Sequence, residues 1–232
     1  LKPGIHVEKV MLAGDMPALK FIPASAGPHP VALLAHGYSA TKETLSWYGE
    51  ALSEAGFVCY SVDLPGHGES QQPFSPLNAA HAIGHVAHSL GAVDVLVGHS
   101  MGGFATSEAV REGLLQPKLV IAAGADVHVG DHGPPLLLLV GRFDEFFKAD
   151  DLKARTDAQT IVSPWSNHGF ELFDPVLIHA AVNAASSAVG QPPPAPSTIW
   201  FWNAAGVFVA LLGAFTLALA LPELPPRWDW AH

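Results

Sequence analysis

Val95-Leu96-Val97-Gly98-His99-Ser100-Met101-Gly102-Gly103 decides how the chain is read. The apolar run from Asp94 to Gly98 has the length and composition of a strand, and a helix is expected from Met101 to about Glu112. Ser100 therefore falls on a strand-to-helix turn. Gly98 and Gly102 flank it two residues away on either side, and the missing Cβ at both places leaves room for the backbone to reverse. On its own, a glycine-rich strand end is equally an ordinary tight turn, so its surroundings must separate the two readings.

Outward from this turn, strand and helix patterns alternate. Val31 to Ala35 is a continuous apolar run suited to a strand buried on both faces, ending at His36-Gly37-Tyr38. Glu43 to Ala55 carries apolar residues at helical spacing, and Gly56 closes it. Phe57 to Leu64, Lys118 to Ala123, Leu136 to Val140 and Thr160 to Ser163 read as further strands, with helices over Pro76 to Leu90 and Pro175 to Val189. Ile5 to Leu12 and Ala18 to Pro23 form a short N-terminal pair about Gly14-Asp15. Such alternation predicts an α/β fold with a mainly parallel central sheet, helices on both faces, and sites at the carboxyl ends of the strands.

That is where the chemically useful residues fall. A serine hydroxyl needs a base within hydrogen-bond reach and a third group to orient the base. Asp144 follows the strand ending at Val140, and His168 follows the strand ending at Ser163. The Gly-x-Ser-x-Gly turn and the chain order Ser100, Asp144, His168 resemble the α/β-hydrolase family. Asp63-Leu64-Pro65-Gly66-His67-Gly68-Glu69-Ser70 is similar to that family's Asp-x-x-Gly-His-Gly-x-Ser loop, read here as scaffolding. The resemblance runs from Ile5 to Gly190. It implies an acyl-enzyme mechanism in which Ser100 attacks, His168 moves the proton and Asp144 orients the imidazole. Asp126 or Asp131, one strand earlier, is the alternative acid. It also implies an oxyanion hole from the backbone N–H groups of Met101 and Tyr38, with His36 bracing the loop that carries Tyr38.

Gly124 to Pro135 is too short to hold a helical lid, so an open, lidless site is expected. Trp47, Phe104, Phe146, Phe147, Trp165 and Phe170 lie near the motif loops and are the expected pocket walls, part of them belonging to the core instead. Aromatic walls suit short to medium acyl or aromatic carboxylic esters. The other readings are thioesterase or acyltransferase chemistry on the same triad, and a hydrolase-fold module that binds without catalysing. No cofactor is required. His81, His85 and His88 share a helix face but are not read as a metal site, and His128 and His132 are read as loop residues.

Composition narrows the partners. In 232 residues with a net charge of −10 and only 11 Lys and Arg, no basic footprint for nucleic acid is available. The single cysteine, Cys59, excludes an intramolecular disulfide. A mean hydropathy of +0.28 is high for a soluble enzyme and comes mostly from the C-terminal tail. The expected organisation is a catalytic domain over 1–189, a Pro-rich linker over 190–197, a membrane helix over 198–221 and a short tail over 222–232. Thr198 to Leu221 holds no charged residue, and a helix of that length reaches about 36 Å, against a bilayer core of about 30 Å. Trp200, Trp202, Trp228 and Trp230 flank it, and the competing reading is a hydrophobic helix packed on protein. A start at Leu1 rather than Met is expected where a leader or an upstream membrane segment has been removed.

Overall fold

In the computed structural model, residues 5–155, 157–192 and 199–220 are described. The chain divides into two units, Leu1–Ser197 and Thr198–His232. The first is built on one sheet of eight strands: β1 (His6–Leu12), β2 (Met16–Ile22), β3 (Val31–Ala35), β4 (Val58–Val62), β5 (Val95–His99), β6 (Leu119–Ala123), β7 (Leu136–Gly141) and β8 (Gln159–Ser163). Their order across the sheet is β1-β2-β4-β3-β5-β6-β7-β8, with β1, β2 and β4 paired antiparallel and all other pairs parallel.

The period-two alternation of the central strands sends side chains to two separate cores. Leu33, Leu96, Val120 and Leu138 face one, which packs against α2 (Pro76–Leu90) and α3 (Met101–Arg111). Leu34, Val97, Ile121 and Leu139 face the other, which packs against α1 (Ser46–Glu54) and α5 (Pro175–Ala188). Burial on both faces is why these strands read as unbroken apolar runs.

Several boundaries differ from the sequence expectation for identifiable reasons. β2 starts at Met16 because the hairpin stays paired up to the turn, where Ala13 and Gly14 both take positive φ. The helix expected over Glu43 to Ala55 begins instead as a 3-10 turn, Lys42–Leu45, before α1. Lys42 is drawn inward there: its Nζ donates to Asp63 Oδ2 at 2.7 Å and its backbone N–H to Asp63 Oδ1 at 2.8 Å. A short helix, α4 (Ala149–Lys153), has too few residues for periodicity to announce it. Where caps are present the match is close. Ser75 accepts from Asn78 N ahead of Pro76 in α2, and Asp174 accepts from Val176 and Leu177 N ahead of Pro175 in α5.

The second unit contains α6 (Ile199–Ala220), whose described side chains include exposed Val207, Phe208, Leu211, Leu212 and Phe215. Among the described residues, no helix is long and apolar enough to cross a membrane. Linker residues 193–197, the tail 222–232 with Trp228 and Trp230, and the side chains of Trp200 and Trp202 lie outside the described residues.

The Lys42–Asp63 pair is almost wholly removed from solvent. Burial opposes both charges, yet the bonds outweigh it, holding Asp63 below the usual carboxylate range and Lys42 above the usual ammonium value. Removing the cation leaves a buried carboxylate without its partner. Lys42→Met is therefore expected to cost about 3 kcal/mol, read as a lower urea midpoint at unchanged slope. An unchanged midpoint would show that the pair adds nothing to stability.

Candidate active site

Ser100 sits between β5 and α3 with φ 52° and ψ −118°, a left-handed backbone that is costly for a residue with a Cβ. The surrounding packing imposes it. A Cβ on Gly102 would lie 2.0 Å from the Ala35 carbonyl oxygen, and one on Gly98 would lie 2.5 Å from the Gly102 backbone. The helix thus presses directly against the ends of β3 and β5, and the serine is the residue that turns the corner. Its N–H donates to Ala123 O at 2.9 Å, which ties the corner to β6.

The structure brings His168 and Asp144 together. His168 Nδ1 lies 3.0 Å from Asp144 Oδ2, and the Asp144 side chain is fully buried. Asp144 Oδ1 also accepts from Phe146 N at 2.7 Å and Phe147 N at 2.9 Å. Burial pushes this carboxyl up, but the bonds from Phe147, His168 and Phe146 outweigh it and keep it below its ordinary value. An ionised Asp144 only accepts, so the Nδ1–H of His168 is the donor of this bond. Asp126 is held elsewhere, in an ion pair with Arg155, and Asp131 is exposed.

His99, hidden in the variable position of Gly-x-Ser-x-Gly, was not singled out by sequence. It is buried, and its Nε2–H donates to the His168 carbonyl at 3.0 Å. This bond joins the serine corner to the loop that carries His168. Burial lowers the His99 pKa, which keeps the ring neutral. Glu171 was missed as well. It is 0% exposed, and its Oε1 accepts from Gly141 N at 2.6 Å. The only available signal was an acidic residue three places after His168, a spacing that also describes an ordinary solvated turn.

The loop after β3 is braced as expected. His36 Nε2 accepts from Leu64 N at 3.1 Å and its Nδ1–H donates to Gly37 O at 2.7 Å, a single neutral tautomer that burial favours. Gly37 backs onto the site, since a Cβ there would lie 3.3 Å from Ser100 Cβ. Tyr38 follows, but its ring packs on His67 and Phe74 and is 68% exposed. Met101 opens α3, where the first N–H groups have no intrahelical acceptor.

The six aromatic residues separate into groups. Phe146 and Phe147 lie against the His168 ring, with centroids 4.8 and 5.9 Å away, and Phe104 touches Phe147. Trp165 and Phe170 are exposed, while Trp47 meets Phe173 edge to face beside the core shared by α1 and α5. A cleft of about 710 Å³ opens beside Met101 and runs along α3, lined by Leu77, Phe104, Val127, Arg111, Asp126 and His128. Of the six aromatics, Phe104 alone lines it.

His99, His168 and Glu171 bring potential ligand atoms within 4.8 Å of one another. The nitrogens nearest Glu171, at 3.6 and 4.0 Å, are His99 Nε2 and His168 Nδ1, and both already act as donors. A metal needs their lone pairs, so the arrangement fits a hydrogen-bond network better than an ion. His81 pairs instead with Glu112 at 3.0 Å.

A strained serine at the end of a central parallel strand, with an Asp-held histidine three strand ends away, is the architecture of an α/β hydrolase. Residues 32–231 match the alpha/beta hydrolase family, and the chain belongs to it. No curated protein matches the chain. Among solved structures it is similar to TT1662 from Thermus thermophilus, at 22% identity and TM-score 0.64 over 80% of this chain and 98% of that one. Est1E from Butyrivibrio proteoclasticus with ferulic acid bound shares 16% identity at TM-score 0.65, over 79% and 100%. An esterase of M. tuberculosis shares 16% at 0.64, over 82% and 94%. At these identities the likeness is one of fold.

The Gly102 contact is with backbone, which has no side chain to swing aside. Gly102→Ala is expected to destabilise the protein by about 3 kcal/mol or to prevent folding, measured by urea unfolding. A variant as stable as the parent would remove this contact as the cause of the Ser100 geometry.

Proposed function

We propose that the chain is a serine hydrolase of carboxylic esters, with Ser100 as nucleophile, His168 as base and Asp144 as orienting acid. The observation that carries the reading is the 3.0 Å bond from His168 Nδ1 to buried Asp144, on the same sheet edge as the strained Ser100 corner. In this reading Ser100 Oγ attacks the ester carbonyl while His168 Nε2 takes its proton. The oxyanion is met by the N–H groups of Met101 and Tyr38, and the dipole of α3 adds to the first. Collapse releases the alcohol with a proton from His168, and water then cleaves the acyl-serine by the same steps in reverse.

Short to medium acyl or aromatic esters fit best. The cleft beside Met101 is apolar where Leu77, Phe104 and Val127 line it, and Phe146 and Phe147 cover the imidazole. Est1E, similar in fold, holds ferulic acid, an aromatic acid. A membrane tether through 198–221 rests on its uncharged composition and on the exposed apolar side chains of α6.

Hydrolysis of a p-nitrophenyl ester panel tests the chemistry. Ser100→Ala is expected to lower kcat by about 10⁴-fold or more, and Asp144→Asn by about 10⁴-fold. A parent protein inert on the panel and unlabelled by a serine-directed phosphonate defeats the enzyme reading. For the tether, the full chain is expected to float with phosphatidylcholine vesicles in a density gradient; recovery wholly in the lipid-free fraction rejects it.

A further inference from the structure

Behind the His168–Asp144 pair lies an acid that the proposed chemistry does not use. Glu171 belongs to the 3-10 turn Phe170–Leu172 and is shut off from solvent. Ionisable groups face it from several elements: His99 at the end of β5, Asp144 after β7, and His168 in the loop after β8. Tyr48 of α1 also faces it, and its hydroxyl donates to the Glu171 carbonyl at 3.0 Å. From the loop after β6 Gly124 approaches; a Cβ there would lie 2.2 Å from Glu171 Oε2.

The two acids are in different situations. Asp144 receives three hydrogen bonds, from Phe146 N, Phe147 N and His168 Nδ1. Glu171 receives one, from Gly141 N to Oε1, and its Oε2 has no donor. The nearest N–H, on His99 Nε2, is committed to the His168 carbonyl. A fully buried carboxylate oxygen without a donor carries a large desolvation cost, whereas a protonated one becomes a donor itself. Glu171 Oε2 lies 4.0 Å from His168 Nδ1, which itself lies 3.0 Å from Asp144 Oδ2, so the two carboxyl groups converge on one ring nitrogen, and two carboxyl groups can share a hydrogen bond only when one is protonated. With three donors already on Asp144, the proton belongs on Glu171.

We propose that Glu171 is a positioning residue: held in its neutral acid form, it donates a hydrogen bond to Asp144 and fixes that carboxylate against His168. The proposal rests on the serine-hydrolase reading for its effect on rate, but the protonation it requires can be read without catalysis. Burial, the Asp144 charge and the bond to Asp144 together push the Glu171 carboxyl up to about 9, beyond what the Gly141 N–H and His168 restore. Raising the pH through that value turns the bond into repulsion between two buried anions.

The sign for stability follows by linkage. The unfolded chain releases this proton near the ordinary carboxyl value of about 4.3, whereas the folded chain keeps it to about 9. Folded protein binds the extra proton in between, so this contribution is full below the lower value and is lost progressively as pH rises to the upper one.

Glu171→Gln provides the decisive variant, because an uncharged amide keeps both an acceptor for Gly141 N and a donor for Asp144. Three measurements on the full chain are compared with the parent. Infrared spectra of the parent at pH 7 should show a protonated-carboxyl band that Glu171→Gln lacks. The fall in Tm between about pH 5 and 9 should be smaller in Glu171→Gln. In ester hydrolysis, kcat of Glu171→Gln at pH 7 should stay within about threefold of the parent and lose the parent's decline near pH 9, while Glu171→Leu should fall by about 10–100-fold. An absent infrared band, or an unchanged Tm profile in Glu171→Gln, overturns the proposal whether or not the protein hydrolyses esters. A Gln variant as impaired as the Leu variant overturns it too, by showing that the charge is needed. The expected band and Tm profile in a protein inert on all esters would support the protonated acid and defeat the hydrolase reading alone.

Discussion

Where α3 meets β3, the Gly102 Cα and the Ala35 carbonyl leave no room for even a methyl group. That close approach sets the pitch of the corner. The chain leaves β5 in the middle of the sheet and must enter a helix pressed against two strand ends, and the only residue between them is Ser100. Its positive φ is the geometric result, and the strain is supported by a core that the corner does not itself stabilise: β5 is buried along its whole length. Strain of about 1–3 kcal/mol is affordable where flanking strands are fixed on both sides by parallel ladders to β3 and β6. The same corner directs the free N–H groups at the start of α3 toward the serine side of the sheet.

Around this corner the loops are held by polar groups that the fold keeps buried. His36 clamps the turn after β3 to the backbone after β4, and His99 ties β5 to the His168 carbonyl. Asp63 binds Lys42 and the N–H of Glu69, so the Gly-His-Gly loop and the start of the first helical turn share one anchor. Asp174 caps α5 with one oxygen and takes the hydroxyls of Ser163 and Ser166 with the other, which steadies the segment leading to His168. The bonds of His36, of His99 and between Lys42 and Asp63 each join two strand ends. Loops at a sheet edge have few apolar contacts of their own, and these directional bonds replace the packing that would otherwise define them.

What the sequence disclosed follows from how local each signal is. The central strands were legible because burial on both faces demands continuous apolar runs, and Ser100, Asp144 and His168 because each follows such a run. The start of α1 was not, because it depends on Lys42 reaching Asp63, twenty-one residues away. His99 and Glu171 were illegible for the same reason. A histidine inside a strand pattern and a glutamate in a short turn look ordinary until β5, β6, β7 and β8 are set side by side. The aromatic walls show the limit of proximity in sequence: Phe146 and Phe147 reach His168, but Trp47, only nine residues beyond Tyr38, points to the opposite core with Phe173.

The charge state of the site follows from these contacts. Burial keeps His36 and His99 neutral, and Asp144 is the ionised partner of His168. With Glu171 protonated, as proposed, the interior behind the serine holds a single negative charge. In the proposed acyl transfer one positive charge forms on His168, beside that anion, so the buried pair is balanced at that step. A second anion at Glu171, whose Oε2 has no donor, would place two like charges in the same buried space beside Asp144. A neutral acid avoids that penalty while still supplying Asp144 with a donor, which is why a glutamate without solvent and without a cation suits this position.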